Sequence, residues 1–318
     1  MHPAKSVIFF TTASGAGYGM MVWLAVLAAM GLLPQSMPFG IIVFGLGLGL
    51  IVAGLLSSTF HLGRPERAWR ALSQWRSSWL SREGVSAIIT FAPLGLFALM
   101  WTFEIGDRSL AVIAGIIGAV MSLVTVFTTS KIYASLKTIP AWHNGWTVAG
   151  YLVLGPMNGA LILALILSLF GAAEPARIVA AFSVALLLAG LVVKRGYWAH
   201  INSGKVVSTA GTATGLGHLG KVEMTASPHD TDNYLLREMG FRIARKHAEK
   251  LRRTATLLAF IVPLFAIAAA LTFTSGAVTT IMFLLAVMAC QIGITAERWL
   301  FFAEAKHAVT LYYGEQAV

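Results

Sequence analysis

Charge is scarce in this 318-residue sequence: 11% of residues are Asp, Glu, Lys or Arg, against 57% hydrophobic ones. Soluble domains carry about 25% charged residues, so the composition excludes an ordinary soluble enzyme and indicates an integral membrane protein. Cysteine is scarcer still. A lone Cys290 excludes a disulfide framework, and it excludes an iron–sulfur cluster held by four thiolates of this protein. Any such cluster would have to sit in a partner. Acidic residues number 13 against 23 Lys and Arg, for a formal net charge of +10. That excess suits anionic lipid or an acidic protein partner; nucleic acid is not expected.

What the sequence has in abundance is long apolar runs. Eight of them, at about 7–33, 39–60, 84–103, 109–130, 146–170, 177–198, 255–274 and 277–296, can cross about 30 Å of hydrocarbon as helices. The expected fold is therefore an all-α integral membrane protein: a single bundle of eight transmembrane helices, with interfacial amphipathic helices on its cytoplasmic side. The first run is long for a secretory signal and seven others follow, so no cleaved leader is expected. Of the 23 Lys and Arg, 21 fall on the side shared by both termini and 2 on the other. The positive-inside rule then makes both termini cytoplasmic, together with residues 61–83 and the long sixth connection, 199–254.

No Asp, Glu, Lys, Arg or His lies near the middle of any of these runs, which counts against an ion-coupled transporter or proton pump. Glycines at 15, 17 and 19 and at 45, 47 and 49 are spaced for close helix packing, and they also leave room for a flat ligand. Gly155 and Pro156 should loosen the fifth helix, and Asn158 and Gln291 suit interhelical hydrogen bonds.

Residues 61–83, HLGRPERAWRALSQWRSSWLSRE, are the best candidate for chemistry. Pro65 is placed to open a helix with Trp69, Leu72, Trp79 and Leu80 on one face and Arg67, Arg70, Gln74, Ser77 and Ser81 on another. Such a helix suits the lipid headgroup layer. His61 and Glu83 bracket it. Further on, Tyr133 and Trp142 read equally as interfacial belt aromatics or as walls of a pocket with His61. The sixth connection contains Gly215, Gly217 and Gly220 in a dinucleotide-type spacing, but with no strand or βαβ unit around it the match has no weight. Residues 233–253 read as a basic helix with seven Lys and Arg, suited to lying on the membrane or to docking a partner. Glu304 and His307, three apart, are expected on one face of an extended last helix, either as a solvated end or as a proton route.

His61-Leu62-Gly63, Pro65, Arg67 and Glu83, then Tyr133, Pro140, Trp142 and Gly155-Pro156, resemble the anchor subunit of dimethyl sulfoxide reductase over all eight runs. EMGF at 238–241, ARKHAEKLRR at 244–253 and ERWLFFAEAKH at 297–307 resemble more specifically the membrane subunit of cytoplasmic sulfite dehydrogenases within that family. The resemblance implies an anchor in the bacterial inner membrane that holds a molybdopterin catalytic subunit and a four-cluster iron–sulfur subunit and exchanges electrons with ubiquinone or menaquinone. It implies quinone binding by His61, Gly63, Arg67 and Glu83. The longer, more basic sixth connection departs from the dimethyl sulfoxide enzyme and bears on the substrate of the whole complex.

The chemistry of these side chains agrees with that role. Quinone reduction takes two electrons and two protons, and needs donors for the carbonyl oxygens and a proton path. His61 can donate to a carbonyl, Arg67 can stabilise developing negative charge, and Trp69, Tyr133 and Trp142 can flank the ring. Glu83 and Glu304 can relay protons; for Glu83 the plainer alternatives are pairing with Arg82 or capping the third helix. No resident metal is expected, and haem b is not favoured, because no paired histidines sit within the runs. Two other classes stay open: an anchor working in reverse, from quinol to dimethyl sulfoxide, and a transporter or purely structural anchor.

Overall fold

The computed structural model describes residues 3–203, 208–226, 243–273 and 276–318, apart from the side chains of His61 and residues 243–246. The eight expected spans are present as helices: α1 (Lys5–Ala29), α2 (Met37–Ser57), α3 (Trp79–Phe103), α4 (Arg108–Ala134), α5 (Gly145–Leu169), α6 (Ala173–Asn202), α7 (His247–Thr272) and α8 (Gly276–Ala303). Among the described residues there is no strand, only an isolated bridge between Thr209 and Ala317.

α1 and α5 form the centre. Within their most apolar stretches 72% and 67% of residues are buried, against 33–39% for the other six helices, which present their apolar outer faces to the surroundings. α1 packs on α2, α4, α5 and α8; α3 lies on α4 and α2, α6 on α5, and α7 on α8 and α6. The helix starts are set by local chemistry: Ser78, Asp107 and Asn144 each accept a backbone N–H of the first turn of α3, α4 and α5.

Lipid tails are as apolar as leucine, so packing between backbones and interhelical hydrogen bonds hold such a bundle together. The glycines do this work at the centre. A Cβ at Gly19 would overlap the carbonyl of Gly155, and one at Gly159 would overlap the amide of Met20, so α1 and α5 meet backbone to backbone through Gly15, Gly19, Gly155 and Gly159. α2 meets α1 in the same way: a Cβ at Gly17 would lie 2.6 Å from the carbonyl oxygen of Gly47. Gly45 and Gly49 have nothing near them. Deeper in the bundle, Asn158 and Gln291 exchange two amide hydrogen bonds, of 2.8 and 3.3 Å, between α5 and α8. α7 contains a π turn at Leu257–Ile261, where Pro263 lacks the N–H that would bond the carbonyl of Ala259. Gly293 of α8 fits against that turn.

Several boundaries differ from the hydropathy reading. α3 begins at Trp79 rather than 84, α6 runs over Ala173–Asn202 rather than 177–198, and α8 continues to Ala303 rather than 296. Glu83 and Glu297 stand where the apolar runs end, and each lies within the helix with a partner inside the bundle. The stretch after His61 is not one amphipathic α-helix: Ser58–His61 and Pro65–Gln74 are 3₁₀ turns, followed by a break before α3. Glu304 and His307 do not share a helix face, since α8 has ended and His307 instead caps the 3₁₀ turn Ala308–Tyr313 by accepting the Val309 amide at 2.9 Å. Residues 215–220 form a loop with a single 3₁₀ turn, Gly217–Leu219. The EMGF stretch and residues 233–242 of the basic helix expected at 233–253 lie outside the described residues, and residues 243–253 are helical.

Replacing Gly19 or Gly159 by valine should lower stability by about 2–3 kcal/mol, because the opposing backbone does not move aside as a flexible side chain does. Gly49→Ala should stay within about 0.5 kcal/mol. Thermal unfolding midpoints in detergent check both; equal behaviour of the three variants would contradict the packing described.

Candidate functional site

The residues singled out in the sequence fall into two settings. Gly63, Arg67 and Trp69 are on the exposed insert between α2 and α3, where Trp69 is 67% exposed with the Arg70 guanidinium 5.6 Å from its ring. His61 ends the first 3₁₀ turn, so its backbone is at the root of the same insert. Glu66 lies 3.9 Å from both Arg64 and Arg67, and all three are exposed. The insert is tied down to α3. Arg82 donates to the carbonyls of Trp75 (3.0 Å) and Arg76 (2.7 Å) and lies 4.3 Å from the Trp79 ring, while the Ser81 hydroxyl donates to the carbonyl of Ala71.

Glu83, next along the helix, is on the opposite side and is 6% exposed. It neither pairs with Arg82 nor caps α3, the cap being Ser78. Instead it accepts a 3.0 Å hydrogen bond from Thr129 of α4. Below it the two helices are joined by hydroxyl pairs, Ser86 with Thr128 at 3.1 Å and Thr90 with Thr125 at 3.0 Å.

Tyr133 and Trp142 are brought together, though as packed core. Their ring centroids are 5.3 Å apart, and Tyr133 also stacks on Tyr151 at 5.7 Å. Trp142 stacks on Phe301 at 5.5 Å and donates its indole N–H to the Phe301 carbonyl at 2.8 Å. Both residues are buried. They face α5 and α8, whereas Trp69 is on the exposed insert, so the three do not form one aromatic wall.

The part that sequence reasoning missed is ionic. Lys194 of α6 sits 2.5 Å from Glu297 of α8, and Arg298 lies 3.5 Å from the other oxygen of the same carboxylate; all three side chains are at most 5% exposed. Towards the same end of the bundle, Arg252 of α7 contacts Glu304 at 2.8 Å and Asn202 at 3.0 Å. Burial pushes the Glu304 carboxyl up from the ordinary carboxylate range, and Arg252 offsets part of that shift. The cations also lie over aromatic faces, Arg298 on Tyr151 and Lys194 on Tyr197, each at 4.0 Å. With Glu83, the fully buried charges are two cations, Lys194 and Arg298, and two carboxylates, while Arg252 and Glu304 are partly buried. The available signals were a lysine inside an otherwise apolar run and the adjacent Glu297 and Arg298 ahead of Leu300, Phe301 and Phe302.

Between the Glu83 side and the ionic side, α1, α4, α5 and α8 border a small, partly open cavity of about 20 Å³ with mixed polar and apolar lining. Thr11, Ser14, Tyr18, Thr129, Tyr151 and Arg298 are among its lining residues. The hydroxyls of Tyr18 and Tyr151 are buried, interacting with Thr125 and Tyr133 respectively but making no well-aligned hydrogen bond among the described residues.

The family model described as DMSO reductase anchor subunit (DmsC) matches residues 1–314. A sulfite dehydrogenase subunit of Allochromatium vinosum is 34% identical over the full length of both proteins. A subunit of the anaerobic dimethyl sulfoxide reductase of Escherichia coli is 34% identical over 47% of this protein and 53% of its own length. Its counterpart from Haemophilus influenzae is 28% identical over 35% of this protein and 40% of its own length.

Removing one member of a buried ion set leaves charge without a partner, which costs about 3–5 kcal/mol. Glu297→Ala strands both Lys194 and Arg298 and should fall in that range. Glu249→Ala, which breaks an exposed pair with Arg253, should cost under about 1 kcal/mol. Similar unfolding midpoints for the two variants would contradict the burial of the set.

Proposed function

The protein belongs to the DMSO reductase anchor subunit family, and on that premise we propose that it is the quinone-reactive anchor of a sulfite-oxidising complex. Its partners are a molybdopterin subunit that oxidises sulfite and a four-cluster iron–sulfur subunit that carries the electrons to the membrane. The full-length similarity to a sulfite dehydrogenase subunit supports sulfite over dimethyl sulfoxide, for which the match spans about half of each protein. The quinone is ubiquinone or menaquinone. The excess of Lys and Arg on the face of the two termini supports a bacterial inner-membrane placement with both termini in the cytoplasm. Protons released by sulfite and those taken up by quinone are then on the same side, and turnover is electroneutral.

The observation that carries this reading is Glu83: a buried carboxyl at the start of a membrane span, held by one threonine hydroxyl, at the foot of an insert bearing His61 and Arg67. An ionisable side chain in such a place is a functional site by default. The residues fit a quinone headgroup. The protein offers an imidazole and a guanidinium as donors to the two carbonyl oxygens, exposed apolar helix faces for the tail, and a carboxyl to hand on protons. In this reading His61 and Arg67 bind the ring at the insert, Gly63 leaves it room, and Trp69 covers it from outside. Tyr133 and Trp142 support the inner side, and Glu83 and Glu304 relay protons. Each turnover takes two electrons from the iron–sulfur partner and two protons.

In the purified complex, Glu83→Gln and His61→Ala should each lower sulfite-to-quinone turnover by about 10²-fold or more. Electron delivery from sulfite to a soluble acceptor, which bypasses the anchor, reports that the partners are intact. Undiminished quinone turnover in a fully assembled variant complex would contradict the assignment.

A further inference from the structure

The cavity between Thr129 and Arg298 has no part in the chemistry assigned so far. Its dimensions suit one kind of occupant. A volume of about 20 Å³ exceeds the roughly 10–15 Å³ that one water needs, and is far below what a quinone ring requires. Every helix that contributes brings a polar side chain beside apolar ones such as Val126, Leu154 and Ile294: Thr11, Ser14 and Tyr18 on α1, Thr129 on α4, Tyr151 on α5 and Arg298 on α8. Dry, the cavity would leave the hydroxyls of Tyr18 and Tyr151, at 3% and 4% exposure, with no well-aligned hydrogen bond beyond their interactions with Thr125 and Tyr133, a state folded proteins avoid. A water makes about three hydrogen bonds when buried, and this cavity offers that many partners.

We propose that this cavity is an ordered-water site joined to Glu83 through Thr129, and that it is the internal route by which Glu83 regains its proton. The proposal rests on the reading of Glu83 as the proton donor to quinone. Thr129 is the link, because its hydroxyl both lines the cavity and sits 3.0 Å from Glu83. Its single hydroxyl proton is directed to Glu83 or to the Thr125 carbonyl, also at 3.0 Å, so its lone pairs are free to accept from water. Arg298 fixes the direction. A guanidinium only donates, so water next to it presents its oxygen to Arg298 and turns its hydrogens towards the hydroxyls on the Glu83 side. Arg298 is in this sense a positioning residue.

The transfer balances. When the Glu83 carboxyl gives its proton to a quinone oxygen, the Thr129 hydroxyl proton moves to the carboxylate. A water O–H in the cavity replaces that proton, and the aqueous phase recharges the water. The electrons are those delivered by the iron–sulfur partner in the proposed function. Each quinone reduced uses the relay for at most two protons.

Radiolytic hydroxyl labelling in ¹⁸O-water tests the site without quinone chemistry, on the full complex. Tyr18 and Tyr151 should take up label despite their burial. Tyr197, equally buried with a partnerless hydroxyl but not lining the cavity, should not, and the exposed Tyr312 should label strongly. The relay is tested by Thr129→Val, which should lower quinone-coupled kcat by about tenfold with quinone KM unchanged, and by Thr129→Ser, which should restore it. Tyr18 and Tyr151 labelling no more than Tyr197 would overturn the water site and leave the proposed function standing. Normal kcat in Thr129→Val would overturn the relay. Full quinone turnover in Glu83→Gln would instead overturn the proposed function, and the relay with it, while the labelling still reports the water.

Discussion

The backbone contact between α1 and α5 positions everything else. Where lipid surrounds the helices, apolar side chains gain little by facing one another, and close approach of small residues supplies the attraction. Gly15 and Gly19 against Gly155 and Gly159 let two helices meet with no side chain between them. That contact brings Thr11, Ser14 and Tyr18 opposite Tyr151 and Asn158, and around it α4 and α8 complete a polar interior. α2, α4, α6 and α8 pack directly on this pair, and α3 and α7 pack on them in turn. A bulky residue at either crossing would separate the two polar halves of the bundle.

Those halves differ in character. On one side α3 and α4 are laced by hydroxyls and hold Glu83, with the arginine- and tryptophan-rich insert strapped to α3 by Arg82. On the other, α6, α7 and α8 are joined by Lys194, Glu297, Arg298, Arg252 and Glu304. Buried ion pairs are poor stabilisers compared with hydrophobic packing, because desolvation cancels most of their attraction. Their presence is better explained by what they fix. They set the rotation of three helices, and they hold a guanidinium against Tyr151 at the rim of the cavity. The aromatic cluster of Tyr133, Trp142, Tyr151, Phe301 and Phe302 lies between the halves and joins them into one body.

Hydropathy made the eight spans legible, and the spacing of Gly15, Gly17 and Gly19 correctly read as packing. Interhelical hydrogen bonds were expected of Asn158 and Gln291 as polar side chains at depth; that they bond each other depends on how α5 and α8 pack. The helix ends were less legible, because a scale that penalises charge starts after Glu83 and stops before Glu297, whereas the helix itself stops only where its hydrogen bonds do. The ionic set was hidden for the same reason. Glu297 and Arg298 look like a solvated helix end until Lys194, distant in sequence, is seen to pair with them. Of the candidate residues, Glu83 was singled out for its type and place, but its inward orientation and its bond to Thr129 depend on α4. Tyr133 and Trp142 were equally readable as belt or as pocket residues; their place in the core is set by α5 and α8, which no local pattern encodes. Residues 65–74 have the composition of an amphipathic helix, and the α-helical period fails there because a 3₁₀ turn repeats every three residues.

The central claim is that this protein passes electrons from a sulfite-oxidising assembly to quinone. Gentle extraction of the tagged protein, followed by assay of the co-purified complex for sulfite-dependent reduction of a short-tailed quinone, tests it most directly. The account predicts that molybdenum and iron–sulfur subunits accompany the anchor and that sulfite drives stoichiometric quinone reduction. An intact complex of those subunits that oxidises sulfite with a soluble acceptor yet leaves quinone untouched would contradict it.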